Sequence, residues 1–171
     1  TGSSVFDFEG DGVAEVLYND EYVFRAFRGP TGDVFLDRCN TSGTLTENPI
    51  VVDVDNDDHA EIVVVENNYA RRVCDDGSAS TTGVRAFGHP DDQWVRTRRI
   101  WNQHSYHVTN INEDGTLPLR EEPNWSNPRL NNFRQNVQPD GLLDAPDLQL
   151  VDPAIATSAC GAALLLRVRV I

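Results

Sequence analysis

The chain has little of the features that direct a protein to nucleic acid or into a membrane. Among its 171 residues, 14 basic residues stand against 27 acidic ones, which gives a formal net charge of −13 at pH 7. Nucleic acid and anionic lipid surfaces both require a basic face or segment, so this balance disfavours both classes of partner. No stretch approaches the roughly 20 apolar residues of a membrane-spanning helix. We therefore expect no nucleic acid partner and no membrane insertion.

Methionine is absent, and the first residues do not have the pattern of a signal peptide. The chain opens on a turn followed by a predicted strand, and its last residues alternate like a strand up to the final position. We therefore expect a processed product or a fragment of a longer polypeptide.

Cysteine is scarce, with Cys39, Cys74 and Cys160 as the three examples. Cys39 and Cys74 lie at the ends of neighbouring predicted β units, which favours a disulfide between them in an extracellular context. Cys160 would then be left over. Three buried free thiols are the alternative.

Helical periodicity is almost absent as well, and this indicates an all-β fold. Short runs of β-branched and aromatic residues alternate with clusters of Gly, Asp, Asn and Pro. The predicted strands form two sets of four, at residues 4–6, 15–18, 22–27 and 34–38, and at residues 50–52, 61–65, 83–87 and 94–100.

The two sets of strands repeat in sequence. "VFDFEGDGVAEVLYND" at residues 5–20 aligns with "VVDVDNDDHAEIVVVE" at residues 51–66, and "FRAFRGPTGDVF" aligns with "GVRAFGHPDDQWV" further along. The acidic loops inside the first match begin 46 residues apart, at Asp7 and Asp53. A four-stranded repeat of this length is typical of a β-propeller blade, and propellers use about four to eight blades. Two blades cannot close a ring, so we expect their exposed sheet edges to be covered by protein partners or by further copies of the chain.

Each acidic loop carries oxygen ligands at alternate positions. Positions 1, 3, 5 and 9 are carboxylates, and position 7 offers its backbone carbonyl. Calcium takes about six to eight oxygen ligands, whereas carboxylates held together without a cation repel one another. The predicted calcium ligands are Asp7, Glu9, Asp11, Val13 and Glu15 in the first loop, and Asp53, Asp55, Asp57, His59 and Glu61 in the second.

This kind of metal site has two alternatives. An EF-hand needs a bidentate Glu at position 12 and a helix on each side. Position 12 is Tyr18 in one loop and Val64 in the other, and both loops are flanked by predicted strands, so an EF-hand is excluded. Two solvated acidic turns are the second alternative. A single turn of that kind would be common, but two in register at an internal repeat favour a metal.

These loops carry a family resemblance. "DFEGDGVAE" and "DVDNDDHAE", each followed by an apolar strand and then by "AFRG" or "AFGH", resemble FG-GAP/VCBS-type repeats. Such repeats are the blades of calcium-binding β-propellers in integrin α subunits and in many secreted bacterial proteins. The resemblance covers residues 5–101 and implies two structural calcium ions, each joining the first strand of a blade to the second. Glu9 and Asp58 depart from the usual Asp and Gly, which would weaken a site without abolishing it.

Two further segments resemble bacterial surface proteins of the same type. "RRIWNQHSYHVTNINEDGTLP" is similar to the segment after the last blade, and "APDLQLVD" resembles the start of an immunoglobulin-like adhesion module. The resulting expectation has three parts: two propeller-type blades at 1–101, an irregular connector at 102–145, and the first strands of an immunoglobulin-like β-sandwich at 146–171. Its strands are expected at 147–151 and 162–171.

The connector contains weaker candidate sites. "NINEDGTLP" places Asn110, Asn112 and Asp114 at alternate positions, but Pro118 occupies the position of the closing carboxylate. A third metal site and a plain Asp-Gly turn both remain open. His104 and His107 have no further zinc ligands near them in sequence, which favours a packing role.

Arginine and tryptophan residues near the connector have structural interpretations. The arginines are expected on the solvated or carboxylate-paired side of the predicted strand at 94–100. Packing is favoured for the tryptophans, with a carbohydrate platform as the alternative. The residues concerned are Arg96, Arg98 and Arg99, and Trp94, Trp101 and Trp125.

The sequence contains no nucleophile motif, no Gly-rich phosphate loop and no acid–base carboxylate pair outside the two loops. It therefore predicts a non-catalytic, calcium-stabilised module of the bacterial cell surface or exterior, acting in adhesion or in surface or filament assembly. An accessory or carbohydrate-binding domain of a larger secreted enzyme is the alternative, and a lectin-like glycan binder is the third.

Overall fold

A computed structural model describes residues 2–43, 47–69, 71, 73–75, 77, 82–127 and 130–137. The strands predicted at 147–151 and 162–171, and Cys160, lie outside the described residues. The described part is an all-β structure with two antiparallel sheets, as the sequence predicts. Within these residues the sheets do not close into a barrel or a propeller ring.

Seven of the eight predicted strands are confirmed, each end to within one residue. Sheet 1 has the order β1-β2-β3-β4, and sheet 2 has the order β5-β6-β7. Adjacent strands in both sheets are antiparallel and consecutive in sequence. The bounds are β1 (Ser3–Phe6), β2 (Glu15–Asn19), β3 (Val23–Phe27), β4 (Val34–Cys39), β5 (Ile50–Val52), β6 (Glu61–Glu66) and β7 (Gly83–Phe87).

One hydrophobic core lies between the two sheets. The rings of Phe24 and Phe87 stack across it with centroids 5.8 Å apart. Burying each such apolar side chain contributes about 1.5–3 kcal/mol, so this shared core holds the two repeats together. Its almost completely buried members include Phe6, Phe8, Leu17, Phe24 and Ala26 from the first repeat and Val51, Ala60, Ile62 and Val64 from the second.

The prediction of an eighth strand at 94–100 is wrong. Instead of pairing with β7, this segment crosses to the ends of the first strands of both sheets. The Val95 amide donates to the Phe8 carbonyl (3.0 Å), and the Asp53 amide donates to the Arg98 carbonyl (3.3 Å). Trp94 is buried in the shared core, its ring 4.6 Å from that of Phe8. Burial of this indole and the two backbone bonds stabilise this path of the chain in place of the predicted pairing with β7.

The described part of the connector is irregular, as expected, but it is anchored to sheet 2. It contains one-turn 3-10 helices at Val108–Asn110 and Asn124–Ser126 and a small buried cluster of Val108, Leu130 and Val137. The Asn136 amide group donates to the Val51 carbonyl at 2.9 Å. Within the described residues, no helix has both the length and the apolar character needed to cross a lipid bilayer.

Cys39 and Cys74 form a disulfide with Cα atoms 5.8 Å apart. Cys39 ends β4, and Cys74 lies in the connection between β6 and β7, so the bond joins the outer strand of sheet 1 to the second repeat. Cys74 is 5% exposed, which shields the bond from solvent.

Candidate metal centre

The two acidic loops occupy the same place in each sheet, between its first and second strands. Their backbones also match residue by residue. Gly10 and Asn56 have φ angles of 71° and 69°, and Gly12 and Asp58 have φ angles of 83° and 70°. Left-handed backbone of this kind favours Gly, and then Asn and Asp, which explains the residue types at these four positions.

The aspartates at positions 1 and 5 of each loop accept matching backbone bonds, and Asp7 also accepts from the Asp11 and Gly12 amides. At position 1, Asp7 accepts from the Gly10 amide at 2.7 Å, and Asp53 accepts from the Asn56 amide at 2.6 Å. At position 5, Asp11 and Asp57 each accept at 2.8 Å from the amide two residues on, which belongs to Val13 or His59. These bonds hold both loops in one conformation without using every carboxylate oxygen.

The carboxylate at position 9 closes each loop from the first residue of the next strand. Glu15 accepts from the Phe8 amide at 3.2 Å, and Glu61 accepts from the Val54 amide at 2.9 Å. Both side chains are buried, at 3% and 8% exposed respectively. Each glutamate therefore joins the end of one strand to the start of its neighbour.

The loops bring most of the predicted carboxylates together. In each group, one oxygen from every member lies within 4.8 Å of the others. Two ligands on opposite sides of a calcium ion are at most about 5.2 Å apart, so both groups have the spacing that a single cation needs. Asp11 is not in the first group. The groups are Asp53, Asp55, Asp57 and Glu61 in the second loop, and Asp7, Glu9 and Glu15 in the first.

The buried glutamates carry a negative charge that the protein compensates poorly. Burial, together with repulsion from Glu9 and Asp7, raises the pKa of Glu15 to about 7, against the opposing effect of the Phe8 amide. Burial also raises the pKa of Glu61, and repulsion from Asp55, Asp57 and Asp53 adds to this shift. A divalent cation among these oxygens would remove both costs, so the residues present fit calcium.

Arginine side chains form ion pairs at different positions in the two loops. Arg28 forms an ion pair with Glu9 at 3.1 Å, inside the carboxylate group of the first loop. The aligned position in the second repeat is Gly88, where an added Cβ would lie 3.7 Å from the Glu61 carboxylate. In the second loop, Arg96 pairs at 3.1 Å with Asp58, which is not one of the predicted ligands.

His59 connects the second loop to the segment at 94–100. Its Nδ1–H donates to the Trp94 carbonyl at 2.9 Å. This hydrogen bond raises the pKa of His59, and the carboxylates of Asp57, Asp92 and Glu61 add to the effect. Val13, at the matching position, has no such side-chain contact to offer. The metal role of the Val13 and His59 carbonyls stays a prediction.

The weaker candidates in the connector bond among themselves. Asp114 accepts from both the amide and the hydroxyl of Thr116, at 2.9 Å and 2.6 Å. The Asn110 amide group donates to the Ser105 carbonyl at 2.9 Å. His107 pairs with Glu121, whose pKa is lowered mainly by that contact. Among the described residues, neither His104 nor His107 joins a metal-ligating group.

Arg98, in the segment at 94–100, is buried: its side chain is only 1% exposed. Of the two predicted environments, solvated or carboxylate-paired, Arg98 has the second, because it pairs with Glu113, but it is buried and does not lie on a strand. Its guanidinium donates to the Tyr106 hydroxyl (2.9 Å) and the Ile111 carbonyl (2.9 Å) and lies 2.8 Å from the Glu113 carboxylate. These contacts of Arg98 hold the connector next to the second loop. Only the clustering of Asn, Tyr and Arg here could have indicated such a network.

Three tryptophans have three environments. Trp94 belongs to the core, and Trp101 stacks on Tyr106 with ring centroids 4.6 Å apart. Trp125 is 79% exposed, which leaves it as the tryptophan best placed to serve as an open platform. Burial of Tyr106 raises its pKa to about 12, so its hydroxyl stays protonated and donates to Asn136 at 2.6 Å.

Comparisons with known proteins identify one informative structural relative. No protein-family model matches the chain, and no curated protein matches it either. The structure is similar to a crystal structure of the V. cholerae biofilm matrix protein Bap1, with a TM-score of 0.67 and 34% sequence identity. The match covers 80% of this chain and 22% of the Bap1 chain, so this chain spans less than a quarter of that protein's length.

Proposed function

We propose that the chain is a non-catalytic, calcium-stabilised extracellular module that acts in adhesion or in the assembly of a surface or matrix layer. Its two repeats would be propeller-type blades of the FG-GAP/VCBS kind. The similarity to a biofilm matrix protein supports the matrix role. The observation that carries the calcium role is the pair of matching acidic loops, each of which gathers carboxylates to within 4.8 Å of one another.

The position of the glutamates indicates what calcium would do. Glu15 and Glu61 are the first residues of β2 and β6, whereas Asp7 and Asp53 directly follow β1 and β5. An ion bound to both ends of a loop would therefore hold the first two strands of that sheet together. Calcium in this role supplies folding stability and no chemistry of its own.

The disulfide between Cys39 and Cys74 supports an extracellular location. Structural disulfides persist in oxidising compartments and are rare in the cytosol. An acidic chain without lysine, whose 14 basic residues are all arginine, also fits a surface that avoids anionic polymers.

The calcium proposal is tested by thermal unfolding of the full chain with calcium and then with excess chelator. A ligand that binds only the folded state stabilises it by about 4 kcal/mol at a concentration 1,000 times its Kd. For a domain of this size, each kcal/mol shifts Tm by about 2–4 °C, so chelation should lower Tm by about 10 °C or more. Magnesium at equal ionic strength is the control. An unchanged Tm would contradict the proposal.

Glycan binding is the second candidate, either for the chain itself or as the accessory domain of a secreted enzyme. The exposed Trp125 favours it, together with a cavity of about 530 Å³ in the connector. That cavity is lined by polar side chains such as Arg120, Glu122 and Asn127. Binding of a glycan array that is lost in Trp125→Ala would support this candidate, and binding that persists would remove the tryptophan from it.

A further inference from the structure

Sheet 2 has an apolar face that turns away from the shared core. Directly paired residues lie on the same face of a sheet, and Ile50, Val63 and Ala86 form one such row. Val65 and Val84 form the next row on the same face. Val84 is 69% exposed and Val65 is 38% exposed. The outer half of this face is therefore open and consists of small and β-branched apolar residues.

The matching face of sheet 1 is buried. Its corresponding rows are Ser4, Leu17 and Ala26, and then Asn19 and Phe24. All of these residues are 5% exposed or less. They are covered by sheet 2, which contributes the row Val51, Ile62 and Phe87. The interface between the two sheets thus shows that this face packs against a row of large apolar side chains.

A row like that of Val51, Ile62 and Phe87 also lies on the outer face of sheet 1. In sheet 1, the row of Val5, Val16, Phe27 and Val34 lies on the face that turns away from the core. Val5, Val16 and Phe27 align with Val51, Ile62 and Phe87 in the repeat. None of the four is buried, and Val34 is 47% exposed. The chain therefore carries both halves of its internal interface a second time, on opposite sides of the molecule.

We propose that the chain binds a second copy of itself head to tail, with the outer face of sheet 2 seated on the outer face of sheet 1 of the next copy. This interface would repeat the contact between the two sheets within one chain. It is heterologous, so successive copies close into a ring or extend into a filament, depending on the rotation between them. The proposal rests on the assembly role proposed above and names the surfaces that perform it.

Charge sets the conditions under which the copies associate. Two chains with a formal net charge of −13 each repel one another at low ionic strength. The two faces themselves are apolar apart from Glu61 at the loop end of sheet 2 and the row of Ser3, Tyr18, Arg25 and Asp37 at one end of sheet 1. Association should therefore strengthen as salt rises, the opposite of a contact held by ion pairs.

The test is sedimentation velocity of the full chain, with calcium in excess, over a range of protein concentrations. Val84→Asp blocks the outer face of sheet 2, and Val34→Asp blocks that of sheet 1. We expect the unmodified chain to form larger species as its concentration rises, and each variant alone to associate at least about tenfold more weakly. An equimolar mixture of the two variants keeps one intact face of each kind, so it should form dimers and nothing larger.

Leu119→Asp in the connector is the matched control, because Leu119 is fully exposed outside both faces and its replacement should change nothing. The Tm of every variant in calcium establishes that it folds, and Val65→Asp is a second block of the sheet 2 face. An unmodified chain that stays monomeric, variants that associate normally, or a mixture without dimers would each overturn the proposal. A calcium effect on Tm that persists in that case leaves the calcium role intact, so the two failures are distinguishable.

Discussion

The two acidic loops have one backbone and two electrostatic environments. Both are held by the same amide-to-carboxylate bonds, and both use left-handed residues at the same two positions. The first loop gathers three carboxylates and shares one of them, Glu9, with Arg28. The second gathers four and has Gly88 at the position of that arginine. Loop conformation therefore comes from residues inside the loop, whereas Arg28 changes the charge of the first loop from outside it. If the proposed calcium role holds, we expect the second loop to bind calcium more tightly.

The same contrast extends to the sheets. Sheet 1 completes its hairpin with β4, whereas the segment that follows β7 leaves sheet 2 and carries Trp94 into the shared core. A repeat in sequence therefore gives equivalent strands and loops, but the outer edge of each sheet depends on where the next apolar side chain is buried.

Breaking the covalent link between the repeats should have the largest effect. Cys39→Ser combined with Cys74→Ser removes a bond between residues 35 apart in sequence. The loss of that constraint on the unfolded chain should cost about 3–4 kcal/mol. Chemical denaturation in calcium measures it. Reducing agent should destabilise the parent chain and leave the double variant unchanged, and an equal effect on both would contradict the expectation.

Removing one ligand from each loop tests the difference between them directly. Asp55→Ala should weaken calcium binding at the second loop by about 100-fold, which corresponds to about 2.7 kcal/mol. Glu9→Ala removes the matching ligand of the first loop and should cost only about tenfold, because Arg28 already neutralises Glu9. Isothermal titration calorimetry resolves the two sites. Equal losses would show that Arg28 does not compete with the ion.

Backbone conformation distinguishes the loops by a smaller amount. Gly12→Ala forces a residue with a Cβ into φ of 83°, at a place where that Cβ meets no atom within 4 Å, so the cost of about 1 kcal/mol is purely conformational. Asp58→Gly relieves the same strain in the second loop but removes the exposed ion pair with Arg96. Its net effect on unfolding free energy should be near zero. A large loss in Asp58→Gly would assign that ion pair an unexpected importance.

Exchanging the residue types at the aligned positions of Arg28 and Gly88 should have the smallest effect. Arg28→Gly removes the arginine from the first loop, and Gly88→Arg introduces one beside the second. An exposed ion pair is worth about 0.2–1 kcal/mol, so calcium affinity should rise up to about fivefold in the first variant and fall by a similar factor in the second. Shifts of the same sign in both loops would contradict a competition between arginine and calcium.

Most of the site was predictable because its information is local. Alternation of β-branched residues indicates the seven strands, since side chains on a pleated strand must divide between core and solvent. The acidic residues repeat at fixed spacing, and Gly and Asn occupy the left-handed positions that the turn requires. The absence of Asp11 from the first group was not predictable from this spacing, because it depends on how side chains point and not on their order.

The sequence by itself determined the strands, the loop conformation and the positions of the carboxylates, because each depends on residues a few positions apart. Only the tertiary structure decided that Trp94 is buried against Phe8, that Arg98 is sealed beneath the connector, and which sheet faces remain open. These outcomes depend on surfaces brought together from distant parts of the chain. Burial of a large apolar ring contributes about 1.5–3 kcal/mol, and the segment that carries Trp94 still forms backbone hydrogen bonds to both sheets, so only the assembled core offers both together.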